Sequence, residues 1–171
     1  MLSAARTPIL TPRLELRRTR IEDASTMFEA LRHSETYTFL PRAAPRSPAD
    51  VATHFARVIQ ETAPGRREQW LNWTVWRRDI GLPLGTVEAS VDPARSAAIG
   101  YLFDPRCWRR GYGREAVAAM LDHLSACGAA SFDASIDVRN IASQRLAAAL
   151  GFTHASTTGI DQIWRRDADL R

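Results

Sequence analysis

The sequence predicts a mixed α/β fold, in which helices flank a central sheet that is mostly antiparallel. Three segments between residues 69 and 103 alternate apolar and polar side chains and are separated by short turns, which is typical of antiparallel neighbours. Segments before and after this region repeat apolar residues at helical spacing. With 171 residues, of which 45% are hydrophobic, the chain has the size of one domain. We therefore expect a single α/β domain over residues 1–171.

The N-terminal part is predicted to form one strand followed by two helices. Residues 13–17 alternate apolar and charged side chains, as a half-buried strand does. Thr19 and Glu22 have the spacing of a capping box ahead of an apolar helical face. Ser47 and Pro48 match the N-cap and the first position of a second helix. These signals place two helices before the central strands.

The central and C-terminal parts are predicted to contain strands and helices in turn. The alternating segments indicate strands at residues 69–78, 85–91 and 97–103, and a turn at residues 81–83 joins the first two. A long amphipathic helix follows, with Gly128 as its C-cap. The last predicted elements are a strand at residues 132–138, a helix from Asn140 to Gly151 and a strand around residues 162–164. The predicted order is thus β-α-α-β-β-β-α-β-α-β.

Composition limits the classes of partner. Residues 1–8 contain no apolar segment of the kind found in a signal peptide, and no later segment approaches the roughly 18 apolar residues of a membrane span. The two cysteines, Cys107 and Cys127, form neither a disulfide framework nor a metal-ligand pattern with histidine. The net charge of +4 comes from basic residues scattered along the chain rather than from one block. We therefore expect a cytoplasmic protein without a membrane, metal or nucleic-acid partner.

A glycine-containing turn before the long helix has the features of an anion-binding site. The turn consists of Arg109, Arg110, Gly111, Tyr112, Gly113 and Arg114. Unpaired N–H groups and the partial positive charge of a helix N-terminus bind phosphate oxygens. The glycines allow close approach and positive φ, and the arginines add positive charge. We expect a pyrophosphate ligand here, although short Gly-x-Gly patterns also occur in turns whose arginines are only solvated.

Several sequence blocks, in their order and spacing, resemble the GNAT superfamily of N-acetyltransferases. The turn matches that superfamily's phosphate-binding signature, except that Trp108 replaces the usual Arg or Gln. This tryptophan is typical of the branch that contains the ribosomal-protein alanine and serine N-terminal acetyltransferases. The chain is also similar to that branch at residues 10–17, 99–101, 104–105, 115–116, 140–143 and 150–152. The resemblance extends over nearly the whole chain.

The resemblance implies an acetyl-CoA site between splayed central strands and the glycine turn. Leu102 and Phe103 would contact the pantetheine arm and the thioester through main-chain groups, and Asn140 would contact the coenzyme. Ser143 would lie near the sulfur as the general acid. Asn140 is also suited to a plain N-cap, and Ser143 to an ordinary first-turn residue. No tyrosine follows Tyr112, so the proton donor is Ser143 or solvent.

For the general base, the resemblance points to Glu88, because several family members carry a catalytic carboxylate on this strand. On a two-faced antiparallel sheet, Glu88 could also face solvent. His54 on the second helix is a weaker candidate, since no motif places it. Cys107 has no motif-placed base, so we expect direct transfer in a ternary complex rather than an acyl-cysteine route. Three residues that either line an acceptor pocket or belong to the core are Trp70, Trp73 and Trp76.

The sequence thus predicts an N-acetyltransferase that moves an acetyl group from acetyl-CoA to a primary amine. The acceptor is a protein N-terminus or a small amine such as an aminoglycoside or polyamine. No acidic cluster suited to a polycationic drug is evident, which favours a peptide or a less charged amine. A coenzyme A-binding module without catalysis is the alternative. A homodimer is a further expectation, because sheet edges in this fold often pair.

Overall fold

The computed structural model describes residues 7–60 and 67–168. The strands in these residues are β1 Ile9–Leu10, β2 Leu14–Arg18, β3 Gln69–Arg77, β4 Leu82–Val91, β5 Ser96–Phe103, β6 Ser131–Asp137, β7 Thr153–Thr158 and β8 Asp161–Asp167. The helices are α1 Ala24–Leu31, α2 Pro48–Val58, α3 Tyr112–Ala126 and α4 Ile141–Ala149. Each of these helices is too short or too polar to serve as a membrane span.

The eight strands of the described residues form one sheet in the order β1-β2-β3-β4-β5-β6-β8-β7. Every neighbouring pair is antiparallel except β5 with β6, which are parallel. A parallel pair needs a crossover, and α3 supplies it. The prediction of a mixed, mostly antiparallel sheet flanked by helices is confirmed.

The strands β5 and β6 pair over only part of their length. Their register begins with Ser96 opposite Ser131 and ends with Ala98 opposite Asp133. Beyond this point, residues 99–103 of β5 pair with β4 alone, and the rest of β6 pairs with β8 alone. The facing backbone edges of the two strands are therefore unpaired in the described structure. This opening at the centre of the sheet confirms the expected splay.

The second helix begins where the sequence places its cap. Ser47 has an extended backbone, and its side chain accepts a hydrogen bond from the Asp50 amide at 3.2 Å. Pro48 occupies the first turn, where its missing N–H removes no helical hydrogen bond. Val51 and Phe55 are buried one turn apart on the inner face of α2. The cap fixes the start of α2, and the apolar spacing fixes which face is buried.

The first helix begins later than predicted. The prediction that Thr19 and Glu22 form a capping box is wrong. The Thr19 amide donates to Asn72 O at 3.0 Å, so the backbone of Thr19 continues the pairing of β2 with β3. A short 3₁₀ turn at Ile21–Asp23 follows, and α1 starts at Ala24 without a side-chain N-cap. Sheet pairing thus holds Thr19 in the strand, ahead of the position that a capping residue would need.

The sheet separates two clusters of buried apolar side chains. The larger cluster lies on the side of α3 and includes Trp73 and Leu121. The smaller cluster lies under α1 and α2 and includes Met27, Phe55 and Trp76. Because successive residues of a strand face opposite sides of the sheet, Trp73 and Trp76 contribute to different clusters. Helices on both faces thus cover the sheet.

The sheet contains two strands that the sequence pattern does not predict. β1 has only 2 residues, which is too short for a recognisable alternation. β7 is exposed along its whole length, so it lacks the alternation of buried and exposed residues that marks a half-buried strand. The predicted turn at residues 81–83 is also placed too late. Leu82 and Pro83 are the first residues of β4, and the turn occupies residues 78–81.

Candidate active site

A cleft of about 500 Å³ opens beside the unpaired part of β5. Its sheet wall consists of residues from β3, β4 and β5, and its helical wall consists of α2 and the loop before α2. The ionisable side chains that line it include Arg42, His54, Arg57, Glu68 and Glu88. A cleft of this size accommodates a small ligand or the end of a peptide chain.

Glu88 faces the cleft from the middle of β4. It pairs with Gly100 on β5, and a Cβ atom added at Gly100 would lie 2.7 Å from Glu88 Oε1. The carboxylate therefore occupies the space that the missing side chain leaves open. Glu88 is half-buried and lines the cleft, and its role as a base stays a prediction.

The glycine turn presents the start of α3 without a side-chain cap. Gly111 is the N-cap and has φ of +78°. Arg109 also has positive φ, +59°, which costs a non-glycine residue about 1 kcal/mol or more. The Glu115 amide donates to Gly111 O at 3.0 Å and so begins the helical hydrogen bonding. The N–H groups that precede Glu115 have no partner within the helix, as an anion site requires.

The N-terminal segment supports this turn through Glu115. Glu115 Oε1 accepts hydrogen bonds from Thr11 Oγ1 at 2.6 Å and from the Arg13 amide at 3.0 Å, and Glu115 Oε2 accepts from Arg13 Nε at 2.6 Å. Burial acts to raise the pKa of Glu115, but the bonds from Thr11 and Arg13 outweigh it and hold the pKa below the usual value. Arg13 Nη1 also donates to Arg110 O at 3.0 Å. The block at residues 10–17, one of those that resemble the family, thus contains residues that contact the turn.

The side chains of the turn have different surroundings. Arg109 and Arg110 are exposed. Arg114 donates to Ala149 O at 3.3 Å, so its side chain lies against the end of α4. Tyr112 is buried, and the Arg13 guanidinium lies 4.5 Å above its ring. Of these four predicted ligand contacts, Arg109 and Arg110 have side chains that are exposed at the turn, whereas Tyr112 offers its main chain.

No neighbour of Gly113 among the described residues would exclude a Cβ atom. A Cβ atom added there would lie 3.6 Å from the Phe103 ring and 3.8 Å from Leu146 Cδ2, which are ordinary contact distances. Internal packing therefore does not require glycine at this helical position, where glycine is unfavourable. Close approach of a ligand to the first turn of α3 remains a physical reason for it.

The end of β5 is tied to the turn and to the segment before α2. Phe103 O accepts hydrogen bonds from Trp108 Nε1 at 2.8 Å and from Thr36 Oγ1 at 3.3 Å. This carbonyl is therefore engaged within the protein, whereas Leu102 lines the cleft. Trp108, at the position where the resemblance leads one to expect Arg or Gln, thus fixes the end of β5 beside the turn.

Asn140 is the N-cap of α4, as its residue type suggests. Its Oδ1 accepts a hydrogen bond from the Ser143 amide at 3.1 Å, and its own amide donates to Asp137 O at 2.8 Å. Contact between Asn140 and a coenzyme stays a prediction. Ser143 is half-buried in the first turn of α4, and its side chain neighbours that of Tyr101.

Tyr101 is a candidate that the sequence-based prediction missed. Its hydroxyl oxygen is buried and has no hydrogen-bond partner among the described residues. Burial raises the pKa of this phenol, and the Ser143 side chain opposes part of that rise. The two hydroxyl groups are thus close without a well-formed hydrogen bond. The prediction considers only tyrosines after Tyr112, although the block at residues 99–101 already contains a tyrosine.

His54 lies between two arginines on the helical wall of the cleft. Arg42 Nη1 is 3.3 Å from His54 Nε2, and Arg57 Nη2 is 3.3 Å from His54 Nδ1. Burial, followed by the charges of Arg42 and Arg57, lowers the pKa of His54 to about 4. Its imidazole is neutral at pH 7 and has a guanidinium at each nitrogen. These surroundings make His54 a poor general base.

Burial distinguishes the surroundings of Cys107 and of the three tryptophans considered for the acceptor pocket. Cys107 is buried, and burial raises the pKa of its thiol to about 11, so the thiol is not an activated nucleophile. Trp73 and Trp76 belong to the core, whereas Trp70 lines the cleft. In the part of the chain that the structure describes, no three His, Cys, Asp or Glu residues are grouped as a metal site.

Comparison with known proteins identifies the family. The Acetyltransferase (GNAT) domain family matches residues 13–153. The chain is 30% identical over 152 residues to an uncharacterized N-acetyltransferase, YoaA, of Bacillus subtilis (strain 168), and the match covers 85% of this chain and 82% of that protein.

Solved structures share the fold at lower identity. RimL, a ribosomal L7/L12 alpha-N-protein acetyltransferase in complex with coenzyme A, matches with a TM-score of 0.81 and 17% identity over 96% of this chain and 99% of its own. The ribosomal-protein-S5-alanine acetyltransferase from Vibrio fischeri matches with a TM-score of 0.78 and 18% identity over 95% and 97% of the two chains. The family match spans the splayed strands, the glycine turn and Glu88. The chain is therefore an acyl-CoA-dependent N-acyltransferase and belongs to the GNAT acetyltransferase family.

Proposed function

We propose that the protein transfers an acetyl group from acetyl-CoA to the N-terminal amine of a protein or peptide, by direct transfer in a ternary complex. The observation that carries this proposal is the position of Glu88, whose carboxylate lies in the cleft beside the unpaired part of β5. A carboxylate there is placed to take a proton from an amine that approaches a thioester held along β5.

Two features favour a protein or peptide N-terminus as the acceptor. The RimL structure is that of a ribosomal L7/L12 alpha-N-protein acetyltransferase, and the Vibrio fischeri structure is that of a ribosomal-protein-S5-alanine acetyltransferase. The helical wall of the cleft carries Arg42 and Arg57. These arginines repel the several positive charges of a polyamine or an aminoglycoside, whereas a peptide N-terminus brings a single positive charge.

The residues present fit acetyl-CoA. The N–H groups at the start of α3, with Arg109 and Arg110, would hold the pyrophosphate. The unpaired edge of β5 beyond Ala98 would pair with the amides of the pantetheine arm, as an open strand edge pairs with extended amide groups. Leu102 would contribute main-chain groups at the thioester. When bound, acetyl-CoA supplies the activated acetyl group.

The chemistry follows from the groups on either side of β5. Glu88 would accept a proton from the ammonium form of the acceptor, directly or through water, and leave a neutral amine. The amine nitrogen would then bond to the carbonyl carbon, the carbon–sulfur bond would break, and the sulfur would leave as a thiolate. Main-chain N–H groups of β5 would stabilise the charge on the carbonyl oxygen. Formation of the amide releases a second proton from the nitrogen, and Ser143, with the Tyr101 hydroxyl beside it, would pass this proton to the departing sulfur.

Mass spectrometry tests this proposal. Purified protein is incubated with acetyl-CoA and a panel of N-terminal peptides, polyamines and aminoglycosides, and each acceptor is examined for the mass of one added acetyl group. We expect products on peptide N-termini. Glu88→Gln should remove most of this activity, whereas Glu68→Gln, a carboxylate of the same cleft that accepts from Ser90 Oγ at 2.8 Å, should retain it. Products on polyamines or aminoglycosides alone would contradict the acceptor class, and coenzyme binding without any product would indicate the binding module.

A further inference from the structure

Two arginines on the helical wall of the cleft lack an acidic partner among the residues that the structure describes. Arg57 lies on α2 one turn after His54, and Arg42 lies in the loop before α2. Among the described residues, neither guanidinium pairs with a carboxylate, and both approach the same imidazole at 3.3 Å. The Arg42 guanidinium also lies 5.5 Å above the buried Tyr37 ring, which helps to hold it in the cleft. We call these three side chains, Arg42, His54 and Arg57, the arginine–histidine cluster.

One imidazole does not satisfy both arginines. A neutral imidazole has a single acceptor nitrogen, and its other nitrogen carries a hydrogen that here points toward a donor. Protonation of His54 would remove the remaining acceptor and add a third positive charge. The pKa of His54, lowered to about 4 by burial and then by Arg42 and Arg57, is consistent with this arrangement. The cluster therefore presents two exposed positive charges that share one imidazole as a side-chain partner among the described residues.

The position of the cluster relates it to the acceptor. All three side chains line the same cleft as Glu88, and the residues of the glycine turn do not line that cleft. Glu88 belongs to the sheet wall of the cleft and Glu68 to the segment just before β3, whereas the cluster belongs to the helical wall. An acceptor with its amine at Glu88 would therefore direct other groups toward the arginines.

We propose that the arginine–histidine cluster binds a carboxylate of the acceptor, so that the preferred acceptor is a primary amine with a carboxylate a few bonds away. This inference rests on the proposed function, which places the amine at Glu88. A carboxylate accepts charge-assisted hydrogen bonds from both guanidinium groups and relieves the mismatch at the imidazole. It belongs either to an acidic side chain that follows the N-terminal residue of a peptide or to the α-carboxylate of a free amino acid.

Steady-state kinetics with matched acceptors distinguish these two sources. One pair of peptides carries glutamate or glutamine after an N-terminal alanine, and the second pair is alanine and alaninamide. We expect the acidic member of one pair to have a KM about tenfold lower than its neutral partner, the size of one charge-assisted hydrogen bond. The pair that shows the difference identifies the source of the carboxylate.

Arginine variants then locate the effect. Arg57→Gln and Arg42→Gln should each raise KM for the acidic acceptor about tenfold and leave kcat and the KM of the neutral acceptor unchanged. The control is Arg46→Gln, which removes an exposed arginine that pairs with Asp50 and does not line the cleft. It should keep the preference. Equal KM values within both pairs, or a preference that survives both cluster variants, would overturn the inference.

A titration of His54 tests the site without catalysis. The His54 imidazole is followed by NMR as pH is lowered, with N-acetyl-alanyl-glutamate and N-acetyl-alanine as carboxylate probes and their amides as controls. A carboxylate held by Arg42 and Arg57 offsets the charges that lower the pKa of His54, so a carboxylate probe should raise that pKa above about 4. The amides should not. A rise in a protein that acetylates no amine would support the anion site while the proposed function fails, and no rise with either saturating probe would overturn the inference.

Discussion

The carboxylate of Glu88 lies across the α-carbon of Gly100 on the neighbouring strand, with Oε1 at 2.7 Å from the place where a Cβ atom would stand. Glycine weakens a strand interior, because it adds backbone entropy to the unfolded chain and packs no side chain. At this position it instead makes room for a charged group on the cleft wall. The pair therefore links a locally unfavourable residue choice to the placement of the proposed base.

Gly100→Ala should displace the Glu88 carboxylate and lower kcat by about a hundredfold, the lower end of the range attributed to a positioned base. The atom in the way is the end of a flexible side chain, so the protein should fold with a nearly unchanged melting temperature. The coenzyme Kd should also stay constant, since the glycine turn is untouched. Kinetics, thermal unfolding and coenzyme titration check these three expectations. An unchanged kcat would show that Glu88 tolerates displacement and is not the base.

Tyr101→Phe should lower activity without lowering stability. The variant removes a buried hydroxyl that has no hydrogen-bond partner in the described structure, so the free energy of unfolding should stay constant or rise by about 1 kcal/mol. If Tyr101 assists the return of a proton to the thiolate, kcat should fall while the acceptor KM stays constant. Denaturant unfolding and steady-state kinetics measure the two effects.

Ser143→Ala is the matched comparison for Tyr101→Phe. It removes the neighbouring hydroxyl and keeps the Ser143 amide that Asn140 Oδ1 caps. A fall in kcat for Ser143→Ala alone would assign the donor to the serine. A fall for Tyr101→Phe alone would assign it to the tyrosine. Wild-type kcat in both variants would leave the proton to solvent and contradict a protein donor.

The sequence predicts those elements whose signals are local and are not overridden by the sheet. Ser47 and Pro48 identify the start of α2, because an N-cap and a first-turn proline act within one helical turn. Thr19 carries an equally local signal, but pairing with β3 holds its backbone in the strand. β7 has no apolar face and therefore no periodic pattern to reveal it. In both cases the backbone pairs with another strand, and the residue types alone do not reveal that pairing.

The candidate site shows the same limit. The turn at Gly111 lies in a recognisable sequence block, and Glu88, the proposed base, lies on the strand to which the resemblance points. The contact between Tyr101 and Ser143 joins β5 to α4, and the arginine–histidine cluster joins α2 to the loop before it. Helical spacing brings Arg57 next to His54, but no sequence spacing encodes the contact of Tyr101 with Ser143 or of Arg42 with His54, since these depend on how the elements pack.

Glu115→Gln should destabilise the protein at neutral pH by about 2 kcal/mol, because it weakens the charge-assisted bonds from Thr11 and Arg13. The pKa of Glu115 is lower in the folded state than the usual glutamate value of 4.5, so the folded state favours the ionised carboxylate. Its contribution is therefore complete above about pH 4.5 and is lost as pH falls through the folded pKa. The stability difference between wild type and variant should shrink over that acidic range in denaturant titrations. A difference that is constant from pH 7 to pH 3 would contradict the ionic origin.

Gly111→Ala should weaken coenzyme binding beyond its effect on stability, and Gly159→Ala is its matched control. Both glycines have left-handed backbones, with φ of +78° and +61°, so each alanine should cost about 1 kcal/mol of folding free energy. A Cβ atom at Gly159 meets nothing within 4 Å, whereas one at Gly111 lies 3.3 Å from Arg13 Nη2 at the start of α3. Because that methyl group stands where phosphate oxygens would approach the helix, Gly111→Ala should raise the coenzyme Kd by about tenfold or more. Gly159→Ala should leave it unchanged in the same calorimetric titration. Equal Kd values for the two variants would show that the coenzyme phosphates bind elsewhere than on the first turn of α3.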